Sequence, residues 1–207
     1  MFGEQFIGSL DRLLKIILQV AWLNFLWIIF SLLGVVVVGG VFPATTAAIN
    51  VARKWVQKKE VKSIYQLFKQ TYKGEFIKSN IIGAILLFTA VILFINYHAL
   101  LQLGDQTPII VVFAYYFVIF LYGIILIWIF PLLSHYQTTI MQYFKNAFII
   151  GISKMPITIA IGFAIFVIIY FSLELPTLLL FGTVSLIAVT VAFLTMRVFE
   201  KIDNADT

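Results

Sequence analysis

The chain has 207 residues, of which 62% are hydrophobic and 11% charged, with no cysteine and a formal net charge of +5; its mean hydropathy is +1.07. Soluble domains carry about a quarter charged residues, so a water-soluble globular fold is excluded. Without cysteine there are no disulfides, thiolate nucleophiles or cysteine metal sites, and the length allows one membrane domain with no separate soluble one.

The first element is a run from Ile16 to Ala52 with no charged side chain. One helix of that length would reach roughly 55 Å, beyond the ~30 Å hydrocarbon core of a bilayer. Gly39-Gly40 followed by Pro43 is a helix stop and restart, because glycine loses most on being held helical and proline tolerates the first helical turn. The run therefore predicts a helical hairpin over 13–58, with arms Leu13 to Val38 and Val41 to Lys58. It is too long for a cleavable signal peptide and reads as a signal anchor.

Charge-poor runs follow at 80–103, 108–134, 155–173 and 177–196, each long enough to span. The predicted fold class is all-α: a polytopic transmembrane bundle of six crossings, or five plus a re-entrant helix. Lys and Arg number two before the first helix, eight in 53–79, two in 135–154 and two after 196. With a hairpin at the start, all fall on one side, which the positive-inside rule favours. This predicts a multi-pass protein of the bacterial plasma membrane with both termini cytoplasmic. Its outer surface is then three tight turns, at Gly39-Gly40, Gly104-Asp105-Gln106 and Glu174-Leu175-Pro176.

Between the spans, 61–77 places Val61, Ile64, Tyr65, Phe68, Tyr72 and Phe76 at helical spacing with Lys62, Lys69 and Lys73 elsewhere, the pattern of an amphipathic helix on the inner interface. A second such helix is predicted over 137–150, with Ile140, Met141, Phe144 and Phe148 on one face. The segments beginning Gln66-Leu67-Phe68-Lys69 and Gln142-Tyr143-Phe144-Lys145 match at an offset of 76, which also aligns Lys78 with Lys154. Two crossings separate them, so a duplication would give parallel repeats; two interfacial helices sharing a composition is the alternative.

Several residues in fixed order carry a family resemblance: Asn24-Phe25-Leu26-Trp27 through Ser31-Leu32, then Gly-Gly and Pro43-Ala44-Thr45-Thr46, Arg53-Lys54, Phe68-Lys69, Pro131-Leu132-Leu133, Lys145-Asn146-Ala147-Phe148 and Pro156. Over 6–199 the chain resembles the YesL-like family of uncharacterised bacterial membrane proteins. The resemblance implies a small integral membrane protein of unknown activity, associated with carbohydrate uptake through ABC importers, and supplies no catalytic residue. The chain departs from the family pattern at His135-Tyr136-Gln137, where a basic-aromatic-acidic run is expected.

The candidate ligand site is the start of the second hairpin arm, where free backbone N–H groups precede Thr45, Thr46 and Asn50, with Asn24 closing the pocket from the first arm; broken transporter helices hold ligands this way. The bland alternative is helix packing, which uses the same small and polar residues. Phe68, Lys69, Phe144 and Lys145 are candidate contacts for a partner or lipid, the partners being the bilayer and an ABC importer complex. His98 and His135 are predicted a membrane's thickness apart as interfacial side chains, so no metal site and no cofactor is expected. No spanning run contains Asp or Glu, and no protease, hydrolase or zinc motif occurs, so no enzyme is predicted. Nucleic-acid binding is also not expected, because basic residues beside the inner leaflet are explained by anionic lipid. The functional expectation is a non-enzymatic accessory or regulatory component of carbohydrate uptake; the alternative is a small transporter with its polar pocket at the broken hairpin.

Overall fold

The computed structural model describes residues 2–35, 39–104 and 107–204. Among them are nine helices and no strand: α1 Phe2–Val35, α2 Val41–Val56, α3 Ile64–Gly74, α4 Phe76–Leu103, α5 Ile109–His135, α6 Ile140–Ser153, α7 Met155–Glu174, α8 Pro176–Phe181 and α9 Thr183–Asp203. The predicted helical membrane bundle is present. Residues 36–38, predicted to end the first arm, and Asp105-Gln106 of the second predicted turn lie outside the described residues.

The α1–α2 hairpin turns where glycine is required. Gly39 has φ +117° and its N–H donates to the Gly34 carbonyl at 2.8 Å. A Cβ on Gly34 would collide with the Gly40 backbone, and one on Gly40 with the Phe30 and Ser31 carbonyls, so the two arms approach at backbone distance. Beyond the turn, α2 presents Ala44, Ala47, Ala48 and Ala52, none exposed. Small side chains let backbones close in, and α2 packs against α1, α3, α4, α5 and α9. It is the most enclosed helix of the bundle.

Five helices among the described residues are long and apolar enough to cross a membrane: Leu10–Gly34, Phe76–Leu103, Ile109–His135, Met155–Glu174 and Thr183–Asp203. The 16-residue α2 is about 24 Å long, shorter than a span requires, and is wrapped by protein. The Gly39–Gly40 turn lies beside Asn80, while Phe42 fills the space over Gly83. From Gly83, α4 continues to Leu103, about 30 Å further at helical rise. The expectation that this turn and the one near Gly104 share a surface is therefore corrected: they sit at different depths.

The last predicted span, 177–196, is interrupted. Pro176 opens the six-residue α8, which ends at Gly182, and α9 runs on to Asp203, bringing that carboxylate onto the bundle.

The two predicted amphipathic helices exist with shifted bounds. Ser63 caps α3, its Oγ accepting from the Gln66 N–H at 3.3 Å, and Thr139 holds the corresponding extended position before α6. The offset of 76 thus aligns both helix starts. The single-residue junctions to the following long helices, Glu75 and Lys154, are 79 apart, so α6 is nearly a turn longer and Lys78 and Lys154 are not structural equivalents. Phe68 is fully buried against Phe30, whereas Phe144 is half-buried.

The core has two parts. One gathers Leu23, Leu26, the α2 alanines and Phe68; the other gathers Ile124, Trp128, Tyr143, Ile161 and Phe199. Outward-facing apolar side chains such as Ile17, Leu18, Phe88, Ile109, Phe113 and Phe163 form a surface that only lipid or another apolar partner satisfies.

Candidate functional site

The four residues of the predicted hairpin pocket do not converge. Asn24 is 0% exposed; its Nδ2 donates to the Leu180 carbonyl at 2.6 Å and its Oδ1 accepts from the Val184 N–H at 2.9 Å. It thereby seals the break between α8 and α9. Thr45 Oγ1 donates to the Val41 carbonyl and accepts from Trp27 Nε1 at 3.1 Å, while Thr46 pairs with Ser79 Oγ at 3.0 Å. Only Asn50 reaches an open cleft. Phe68 is core and Phe144 packs on core, leaving the exposed Lys69 and Lys145 as the accessible members of the predicted contact set.

Unpredicted is a charged network where α2, α5 and α9 meet. Arg53, in the last turn of α2, donates from Nη2 to Asn50 Oδ1 at 2.7 Å and from Nη1 to His135 Nδ1 at 2.8 Å. A guanidinium only donates, so Nδ1 accepts and the His135 proton sits on Nε2, facing Asp203 Oδ2 at 3.1 Å. Histidine here is a neutral bridge between a cation and an anion. Tyr136 OH donates to the other Asp203 oxygen at 2.8 Å, and His135 stacks on Phe199 with centroids 4.8 Å apart. Asn50 Nδ2 extends the chain to Thr71 Oγ1 on α3 at 2.7 Å.

Beside it, Glu75 at the α3–α4 junction is 9% exposed. Its Oε1 accepts from Gln137 Nε2 at 2.6 Å, and Gln137 Oε1 accepts from Lys78 Nζ at 2.9 Å. The amide at 137 thus joins a cation to a carboxylate. An acid there would face Glu75 with like charge. Glu75 Oε2 and Arg53 Nε are buried without a hydrogen-bond partner.

Arg53, Glu75, His135 and Gln137 line a cleft of about 390 Å³ with Asn50, Lys54, Gln70 and Ser134. A second cleft of about 340 Å³, lined by Lys54, Lys59, Glu60, Lys62 and Ser63 among others, shares Lys54, Leu67 and Gln70 with it. Burial, then the neighbouring Arg53 and Lys59 charges, push the Lys54 ammonium below the ordinary lysine range. Among the described residues, the ammonium groups of Lys54, Lys59 and Lys62 have no hydrogen bond or ion pair, and no three His, Cys, Asp or Glu side chains gather as a metal site.

Sequence reasoning missed Arg53, Glu75, His135, Gln137 and Asp203 as one site. The available signal was position: each is a polar or charged residue within a turn of the end of a helix or long apolar run, and such ends meet at one face of a bundle.

Comparison with known proteins gives a consistent picture. Residues 20–97 match a family described as "Protein of unknown function, DUF624". The chain is 36% identical over 185 residues to the uncharacterized protein YteU of Bacillus subtilis, covering 87% of this chain and 82% of that one. It is 35% identical to YesV, covering 89% and 88%, and 31% identical to YesL, covering 95% and 92%, both from the same organism. No solved structure matches.

Proposed function

The chain belongs to the DUF624 family of proteins of unknown function, and from that premise we propose that it is a non-enzymatic accessory or regulatory membrane protein of carbohydrate uptake, working beside an ABC importer from the cytoplasmic side. The observation carrying this reading is where unengaged polar groups lie. Among the described residues, Asn24, Thr45, Thr46, Ser172, Thr183 and Ser185 are bound to backbone or to one another, and two separate hydroxyls, Ser31 Oγ and Thr107 Oγ1, are buried without a partner. The charged groups with capacity left, Arg53, Glu75, Lys54 and Lys59, border the two clefts. A transporter needs a set of polar groups available at depth, whereas a docking or sensing protein needs them at a face.

The orientation follows from charge. Lys54, Lys59 and Lys62 gather at one cleft, with Arg53 in the adjoining one. That face is the cytoplasmic one by the positive-inside rule.

The test pairs two measurements. Deleting the gene should lower importer-dependent sugar uptake in cells, with the tagged protein co-purifying with the importer. Proteoliposomes of the purified protein alone should show no sugar flux above empty vesicles, and Thr46→Ala, at a residue outside both clefts, should not change uptake. Flux by the protein alone, abolished by Thr46→Ala, would establish the transporter instead.

A further inference from the structure

We propose that the two adjoining clefts form one trough that binds a phosphorylated polyol, its phosphate on Lys54, Lys59 and Lys62 and its hydroxyl-bearing body against Asn50, Gln70 and Glu75. This rests on reading the basic face as the working site.

The phosphate end is argued from charge. Three lysines line the smaller cleft against a single carboxylate, Glu60, and none of the three ammonium groups has a hydrogen bond or ion pair among the described residues. Arg53 adds a fourth cation in the adjoining cleft. Like charges held together repel, and a phosphate anion between them converts repulsion into charge-assisted hydrogen bonds. The shift of the Lys54 ammonium, to which Arg53 and Lys59 contribute after burial, reports the same crowding.

The polyol end is argued from hydrogen-bonding capacity. The larger cleft is mixed in charge: Glu75 faces it from α3–α4, Arg53 from α2, with the Gln70 amide also on its wall and without a bond. A bare anion there meets Glu75; a bare cation meets Arg53 and Lys54. A hydroxyl donates and accepts, so a chain of hydroxyls suits both walls without burying a charge. Two atoms beneath the wall retain capacity of opposite kind, the acceptor Glu75 Oε2 and the donor Arg53 Nε, and a small rotation of either side chain offers them to such a ligand. About 390 Å³ falls within the range of small-molecule sites. The residues common to both clefts, Lys54, Leu67 and Gln70, put phosphate and polyol on one molecule.

This chemistry has two sources, a free sugar or glycerol phosphate and the headgroup of phosphatidylglycerol. The experiment uses the full chain in phosphatidylcholine nanodiscs. In the first arm, glycerol 3-phosphate, glucose 6-phosphate, glucose and inorganic phosphate are titrated calorimetrically. In the second, the melting temperature is compared between discs doped with phosphatidylglycerol and discs doped with phosphatidylserine, an anionic lipid without a polyol.

The expected result is that a phosphorylated polyol binds at least about tenfold more tightly than glucose or phosphate, or that phosphatidylglycerol raises the melting temperature and phosphatidylserine does not. The arm that responds identifies the source. Lys54→Ala/Lys59→Ala/Lys62→Ala should remove at least about tenfold of the affinity or the lipid shift, on the scale expected for several cations facing one anion. Gln70→Ala, at an exposed residue and so without folding cost, should erase the preference for polyol over inorganic phosphate or over phosphatidylserine.

No response in either arm, equal response to inorganic phosphate and phosphatidylserine, or full binding by the triple variant overturns the proposal. Because the measurement is on the purified chain, its failure leaves an uptake phenotype standing, and binding without that phenotype removes the uptake reading alone.

Discussion

Two polar clusters in this bundle differ in kind. Around the α8–α9 break the cluster is neutral and closed: Asn24 bonds the Leu180 carbonyl and the Val184 N–H, Thr183 Oγ1 reaches Ser172 Oγ at 2.7 Å and Ser185 Oγ the Val20 carbonyl at 2.8 Å. At the basic face it is charged and open, with Arg53, His135, Asp203 and Glu75 strung across α2, α3–α4, α5 and α9 and atoms left unpaired. The first satisfies backbone groups freed by a helix break where water is absent, as a membrane interior demands. The second keeps hydrogen-bonding capacity beside a cleft. Polar residues in a membrane protein are therefore informative by their completeness: a closed set holds the fold, an open set is available for a ligand.

The largest test of that contrast is Asn24→Ala. It strips a donor from the Leu180 carbonyl and an acceptor from the Val184 N–H at a buried site, and each unpaired backbone group costs about 1–3 kcal/mol. A loss of about 3 kcal/mol in thermal or denaturant unfolding in detergent is expected, with binding at the basic face unchanged in the fraction that remains folded. A change below about 0.5 kcal/mol would mean water already serves those groups, and the closed cluster would not be closed.

Much of the fold was legible in residue order. Gly39, Gly40 and Pro43 announce a reversal, and the lengths of the apolar runs announce the long helices. The depth of the first turn was not, since it depends on Phe42 finding room over Gly83, a contact between segments that no local pattern encodes. The break at Gly182 was hidden for a similar reason: the four apolar residues Leu178 to Phe181 continue a spanning composition, and Asn24, some 160 positions away, repairs the interruption. At the site, Asn50 was identified by its helix position, but its partners come from α3 and, through Arg53, from α5. Phe68 and Lys69 were treated alike as contacts because amphipathicity does not say whether the apolar face meets lipid or, as here, Phe30 and the α2 alanines.

A smaller effect is expected from Arg53→Lys, which keeps the charge and loses the fork. One ammonium on a shorter, round head does not reproduce the planar bridge from Asn50 Oδ1 to His135 Nδ1, because guanidinium geometry is not interchangeable with a point charge. The expected loss is about 1–2 kcal/mol of stability, read by unfolding, and the interaction should be non-additive with His135→Ala in a double-mutant cycle. Additivity would show that Arg53 and His135 are neighbours without being a unit, and would dissolve the open cluster into separate surface contacts.

The smallest effect separates the clusters by their response to salt. Asp203 accepts from His135 and Tyr136 at the end of α9, but its side chain is 47% exposed, so water and ions compete for it. Asp203→Asn should therefore cost no more than about 1 kcal/mol, and the difference from wild type should shrink as ionic strength rises from about 0.01 to about 1 M, where the screening length falls from about 30 to about 3 Å. The Asn24→Ala difference, between neutral groups in a dry site, should stay constant over the same series. If both differences contract alike, salt is acting on the detergent or the unfolded state and the electrostatic distinction between the two regions fails; if only Asp203→Asn responds, charge and solvent access together define the open face.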